Sequence, residues 1–267
     1  MGLRLLSCFG RSQKINKSGD NTTVDEASEE QRRCGAVLVE LFSSQGCKTS
    51  PEAELLLSRL GRGDFNLDVP IIALAFHVDY WDYIGWRDPF ASSLWTVRQK
   101  AYVESLNLDT LFTPQIIVNG RTHCMGTDEE SLLSAIHSAT RFALPTMQAT
   151  FQRPASNSLQ VSLTGSLRTK IDSGGADVMV ALYESGLMTD CDKGENKGRV
   201  LTNDYVVRRM EKLCSVKDIS AKKTVSGAVN FELWEDFNPA KCGVVLIIQN
   251  GSTHTLGIQQ FSLPDPI

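Results

Sequence analysis

Cys47 is placed where a thiol can do chemistry. Residues 37–42 (VLVELF) form an apolar, β-branched run that reads as a buried strand. Residues 43–46 (SSQG) read as a loop, and Cys47-Lys48-Thr49-Ser50-Pro51 opens a helix-like stretch. Proline suits the first turn of a helix. A cysteine at that end faces the positive pole of the helix dipole, which stabilises the thiolate and lowers the thiol pKa. The usual dithiol spacing is Cys-x-x-Cys, and here Ser50 holds the second position. Ser50 cannot resolve a mixed disulfide, so a second thiol such as glutathione would have to complete a cycle. Ser50 can hydrogen-bond the thiolate or simply cap the helix.

Three further groups belong with Cys47. His77 ends a second apolar run, and residues 78–88 (VDYWDYIGWRD) follow it. In an open α/β sheet, loops beyond the carboxyl ends of strands build the site. His77 then raises the thiolate fraction or relays a proton, or it packs under an aromatic lid with Asp79 and Asp82 satisfying turn backbone. Trp81 and Trp86 read as a substrate-facing wall. Thr113-Pro114 precedes a strand and is a candidate cis bond. Arg98 and Gln99 fit either a site role or a solvated helix face. Cys124 is a distant alternative as resolving thiol.

The remainder of the chain bounds the function. It has 267 residues, 42% hydrophobic and 22% charged, with a net charge of -4. That balance leaves no electrostatic footprint for nucleic acid, and no apolar run approaches the length of a membrane span. The seven cysteines do not fall into paired zinc-ligand spacings, so no metal is expected. They read mostly as reduced cysteines, and the expected location is cytoplasmic. The Gly2 and Cys8 region invites a lipidation reading that its motif supports poorly. Residues 1–33 read as a disordered tail.

The elements that position these residues alternate. A strand over 36–42 precedes a helix over 51–62, whose apolar face is Ala53, Leu55, Leu56, Leu57 and Leu60. A strand over 69–76 and a helix over about 90–106 come next. A strand over 115–118 turns at Asn119-Gly120 into a strand over 122–125. A helix capped by Thr127 or Asp128 ends near Arg141. This β-α-β-α-β-β-α order is that of the thioredoxin fold. After Pro145 the texture changes to short strands over 148–153, 159–163, 178–183, 230–235 and 243–249. The expectation is an α/β thioredoxin-like domain over 34–144 followed by a mostly β, sandwich-like domain over 145–267.

A family resemblance rests on several of these segments. They are 39–47 (VELFSSQGC), 77–82 with Gly85-Trp86, Arg98-Gln99, and Thr113-Pro114-Gln115 with Val118-Asn119-Gly120. Gly194-Glu195-Asn196, Gly198-Arg199-Val200-Leu201 and Val206-Val207-Arg208 complete the set. Together they resemble an uncharacterised thioredoxin-like family, the domain-of-unknown-function family 1223, over about residues 36–260. The family has secreted bacterial members and plant relatives, and this chain looks more like the plant type. Many bacterial members carry a second cysteine where Ser50 stands. The resemblance implies that Pro114 is cis and faces Cys47, with the Thr113 backbone available to a bound peptide or glutathione.

A second, weaker resemblance links 117–120 and Met125-Gly126-Thr127-Asp128 to the glutathione-holding segment of glutaredoxins. There Gly126 and Asp128 would meet the glutamyl end of the tripeptide. The expected function is therefore a monothiol oxidoreductase acting through Cys47, Ser50 and His77 on protein or glutathione disulfides. Thr113, Pro114, Trp81, Trp86, Gly126 and Asp128 would bind substrate. The alternatives are a non-catalytic thioredoxin-fold binding module with a vestigial site, and an iron-sulfur carrier built on Cys47 and glutathione.

Overall fold

The computed structural model describes residues 35–264 and 267. The expected tail over 1–33, with Gly2 and Cys8, lies outside the described residues. Val37–Ser43 forms β1 and is buried along its whole length. Ser50–Arg62 forms α1, with Thr49 at its N-cap and Gly63 closing it in the left-handed region. β2 is Ile71–His77, and α2 is Ser93–Ser105, capped by the Ser92 hydroxyl. β3 (Gln115–Val118) and β4 (Thr122–Met125) are joined through Asn119 and Gly120, both at positive φ. α3 is Glu129–Ser138, and the Asp128 side chain caps it.

The second half adds β5 (Thr146–Ala155), β6 (Ser158–Ser166), β7 (Ala176–Glu184), β8 (Leu187–Cys191) and β9 (Arg199–Asn203). β10 (Val206–Val216), β11 (Thr224–Glu232), β12 (Cys242–Asn250) and β13 (Thr255–Ser262) follow.

The expected fold class, an α/β thioredoxin-like domain followed by a sandwich-like domain, is corrected by the sheet topology. Among the described residues there are thirteen strands and only three α-helices. Eight strands form one mixed sheet in the order β13-β12-β7-β10-β2-β1-β3-β4. β1 runs parallel to β2 and antiparallel to β3. β10 meets β2 in parallel through Val206 and Ala75, and runs antiparallel to β7 over its length. The edge that β2 would expose is thus filled by a strand from the second half, as a buried edge must be.

The cause of the error is legible in β10 itself. VVRRMEKLCSV carries four charged residues in its centre, so its pattern does not read as an interior strand. Its first two residues, Val206 and Val207, are buried at the seam.

Three apolar clusters sit on this sheet. On one face, Val37, Val39 and Leu41 of β1 meet Ala53, Leu56, Leu57 and Leu60 of α1, and Leu132 and Ile136 of α3. On the other face, Leu38, Phe42, Leu74 and Phe76 meet Trp95 and Tyr102 of α2. Ala181, Val207, Val245 and Ile247 from the second half join the same cluster. The third cluster lies between β7 and β12 and the three-stranded sheet β11-β6-β5. α1 departs from its expected apolar face. Leu55 is 55% exposed and Glu54 is 2% exposed, so Glu54 takes an inward position. No helix among the described residues is long and apolar enough to cross a membrane.

Candidate functional site

The Cys47 loop leaves the carboxyl end of β1 and enters α1 directly, which sets the thiol at the N-terminus of α1. The residue is 4% exposed. Its sulfur lies 3.6 Å from Thr49 Oγ1 and 3.6 Å from the Thr113 carbonyl, to which the thiol donates. Burial pushes the thiol up. Hydrogen bonds from the Ser50, Thr113 and Thr49 hydroxyls and the Thr49 backbone N–H more than offset it, and the pKa falls below its ordinary value.

Two of those hydroxyls have their own acceptor side filled. Ser50 Oγ accepts the Ser44 N–H at 3.2 Å. Thr113 Oγ1 accepts the Trp81 indole N–H at 2.7 Å. Each hydroxyl accepts one hydrogen bond there and has its single proton still to donate. Ser50 does not cap α1, because no side-chain cap bond forms at that N-terminus.

The Thr113-Pro114 bond is cis, as the family resemblance implied. Gln99, fully buried on α2, supports this segment by donating to the Phe112 carbonyl and to Gln115, each at 2.8 Å, and accepts the Tyr80 hydroxyl at 3.2 Å. Gly126 packs beneath Pro114 and donates its N–H to the Pro114 carbonyl at 2.8 Å. A Cβ on Gly126 would come within 2.7 Å of Pro114 Cβ and 2.9 Å of Ala53 Cβ, so this close approach requires glycine. Both oxygens of Asp128 are engaged by Ser131 at the start of α3. Trp81 and Trp86 lie in the loop after β2, and Trp86 donates its indole N–H to Gln45 Oε1 at 3.1 Å.

His77 does not touch the thiol. It is fully buried, and its Nδ1 donates to Asp88 Oδ2 at 2.7 Å. Its Nε2 lies 3.2 Å from Glu54 Oε1, outside hydrogen-bond geometry. Burial opposes its charge, but Asp88 and Glu54 outweigh burial and raise the imidazole pKa to about 10. His77 is therefore an imidazolium held between two carboxyl groups. Burial would raise the Asp88 carboxyl, but the His77 charge and hydrogen bonds from Gln45 and Phe90 hold it below the ordinary range. Asp88 also accepts the Gln45 N–H at 2.7 Å, which ties this cluster to the Cys47 loop. Glu54 Oε2 has no hydrogen-bond partner. It borders a cavity of about 130 Å³ that Ser44, Ser50, Arg199 and Asn203 also line.

The second half of the chain supplies the rest. The Gln45 amide donates to Thr189 Oγ1 at 3.1 Å and Asn203 Oδ1 at 2.9 Å, on the two strands of the β8-β9 hairpin. Asn196, in the turn between those strands, donates to the carbonyls of both Gln45 and Cys47 at 2.9 Å. Reading the residues by chemistry missed Glu54 and Asn196. The signals were a carboxylate inside an otherwise apolar helix stretch and an asparagine between Gly194 and Gly198.

Arg98 and Gln99 are both drawn inward, and neither lies on a solvated face. Arg98 pairs with Glu40 at 2.7 Å. Five cysteines lie among the described residues and all are free. Burial raises the thiols of Cys124 (to about 11), Cys191, Cys214 and Cys242 (to about 12). Among the described residues, Cys47 is the cysteine whose thiol is pushed down.

The family model described as Protein of unknown function (DUF1223) matches residues 38–249. The chain belongs to this family. All of the site groups above, from Glu40 to Asn203, lie inside the DUF1223 match. A crystal structure of an Agrobacterium tumefaciens protein is similar at 25% identity. It covers 86% of this chain and 96% of its own, with a TM-score of 0.59. HBP35 of Porphyromonas gingivalis shares the fold at 12% identity, over 87% of this chain and 78% of its own, with a TM-score of 0.59. No curated protein matches the chain.

Proposed function

We propose that this DUF1223 chain is a monothiol-disulfide oxidoreductase whose nucleophile is Cys47. The observation that supports it is the Cys47 sulfur at a helix N-terminus among the Ser50, Thr113 and Thr49 donors. The thiolate attacks one sulfur of a disulfide, forming a Cys47 mixed disulfide as the original S–S bond breaks. The leaving thiolate takes a proton from solvent. A second thiol, of which glutathione is the expected example, then attacks the mixed disulfide and restores the Cys47 thiolate. Ser50 has no part in that second step except as a donor to the sulfur. Trp81 acts by orienting the Thr113 hydroxyl. His77 acts through Asp88 and the Gln45 N–H, holding the loop.

Two measurements test this reading. Alkylation across pH with peptide mapping should show Cys47 labelling at lower pH than Cys191, Cys214 or Cys242. Turnover of a glutathione mixed disulfide should require added glutathione. If Cys47 labels no faster than the other three, the thiol reading fails. Fast labelling without turnover on any disulfide would favour a binding module, a reading that the 4% exposure of Cys47 also supports.

A further inference from the structure

The turn between β8 and β9 is built as a rigid support. Gly198 N–H donates to the Cys191 carbonyl at 2.7 Å, Lys197 N–H to Gly194 at 3.2 Å, and Arg199 N–H to Asn196 at 3.1 Å. Gly194 and Gly198 both take left-handed φ, at +72° and +81°. A Cβ on Gly194 would stand 2.9 Å from Trp86 Cβ, so the turn abuts the loop after β2.

Asn196 points from this turn into the protein and is 1% exposed. Its amide nitrogen reaches the Gln45 and Cys47 carbonyls at 2.9 Å each, and its Oδ1 accepts an Arg199 guanidinium N–H at 2.8 Å. Both amide protons are thus spent on the two carbonyls that bracket Gly46, and the acceptor side is anchored.

The chemistry of those carbonyls matters. The Cys47 carbonyl belongs to the peptide that leads into α1, whose first backbone N–H groups have no intrahelical partner and lie beside the Cys47 loop. Holding the Cys47 carbonyl toward Asn196 fixes the orientation of the Cys47-Lys48 peptide, and with it the path of the chain into α1. A free loop could rotate that peptide and replace a donor with a carbonyl dipole, which repels a thiolate.

We propose that Asn196 is a positioning residue for Cys47, setting the thiol's reactivity by clamping the Gln45 and Cys47 carbonyls from the second half of the chain. This inference rests on the thiol reading above. It assigns to the Gly194–Arg199 turn a share in the site, beyond that of a connection between two strands.

The test is the pH profile of Cys47 alkylation in the full chain, alongside its melting temperature. Asn196→Ala removes both donors. Asn196→Asp keeps the size but offers only acceptors to the two carbonyls. The expected result is a profile displaced to higher pH for both variants, with labelling at pH 6 slowed by about tenfold. A purely structural role would lower the melting temperature and leave the profile of the folded protein in place, and that result overturns the proposal. If neither variant folds, Arg199→Lys decides. It keeps the charge but loses the guanidinium N–H that anchors Asn196 Oδ1, and an unchanged profile there would also overturn the proposal. Fast wild-type labelling with unchanged variants leaves the thiol reading standing, whereas slow wild-type labelling sinks that reading itself.

Discussion

Two buried ionic clusters lie on the same sheet and are built differently. In the first, Arg98 donates to Glu40, to the Tyr102 hydroxyl at 3.1 Å and to Gln249 at 3.0 Å. Gln249 returns its amide to Tyr102 and to the Thr253 carbonyl. None of these side chains keeps a buried polar atom without a partner. The second cluster, Glu54-His77-Asp88, leaves His77 Nε2 and Glu54 Oε2 without hydrogen-bond partners, and it hangs the Cys47 loop from Asp88. A closed polar network fixes packing, whereas buried groups left open are costly and need a reason. The closed cluster joins β1 and α2 to β12 and serves the fold. The open one lies against the thiol loop, tied to it through Asp88 and the Gln45 N–H.

Breaking the closed cluster should have the largest effect on stability. Arg98→Ala strands Glu40, which is fully buried, and should destabilise the protein by about 3–5 kcal/mol. Urea unfolding measures this, and the Cys47 alkylation profile of the folded variant should stay in place. A profile shift as large as that of a variant in the open cluster would show that the two clusters are not separable.

Asp88→Asn should cost less, about 1–3 kcal/mol, because the amide can still accept one of the two hydrogen bonds to the site. It should nonetheless slow Cys47 labelling, since the charged acceptor of the Gln45 N–H is gone. Unaltered labelling would detach the open cluster from the thiol.

The wild-type pH dependence sharpens the same contrast. His77 has its folded pKa raised to about 10 from an ordinary 6.5. Its contribution is therefore full below about pH 6.5 and is lost as pH rises towards 10. Asp88 is depressed, so its contribution holds above its ordinary range and is lost in acid, as pH falls through the folded pKa. His77→Gln should flatten the alkaline limb of the stability curve relative to wild type. An identical alkaline limb in both proteins would remove the imidazolium from the account.

Ser50→Cys should change stability least, by under about 1 kcal/mol, yet change the chemistry most visibly. It places a second thiol one helical turn from Cys47. Insulin reduction without added glutathione should appear in the variant and be absent from wild type. Strong glutathione-independent turnover by wild type would instead point to another resolving cysteine.

What the sequence reveals follows the range of the forces involved. The Cys47 loop, the helix start at Pro51 and the Asn119-Gly120 turn are governed by neighbours a few residues away and are legible, whereas the cis Thr113-Pro114 bond follows from the family resemblance. Gly120 shows the limit. Its positive φ suits the turn, but a Cβ there would also strike the Thr253 carbonyl at 2.2 Å, a contact across about half of the chain. β8, β9, β10 and β13 were not read as strands, and the pairing of β10 with β2 depends on a partner far away in sequence. Arg98 fits a site role or a solvated face equally from sequence, because its partners, Glu40 and Gln249, lie far from it along the chain. Glu54 is not singled out by its sequence because helical periodicity does not say that a buried histidine waits beside it.

The parallel contact between β10 and β2 also sets an order in time. During synthesis β1, α1 and β2 leave the ribosome first, and their central sheet edge has no partner until residue 206 follows. At ordinary rates of translation that interval is on the order of ten seconds, long compared with hairpin and helix formation. A nascent chain therefore carries Cys47 with neither β10 along its sheet nor the β8-β9 turn against its loop. The thiol reaches its final setting late, when the second half of the chain has been made.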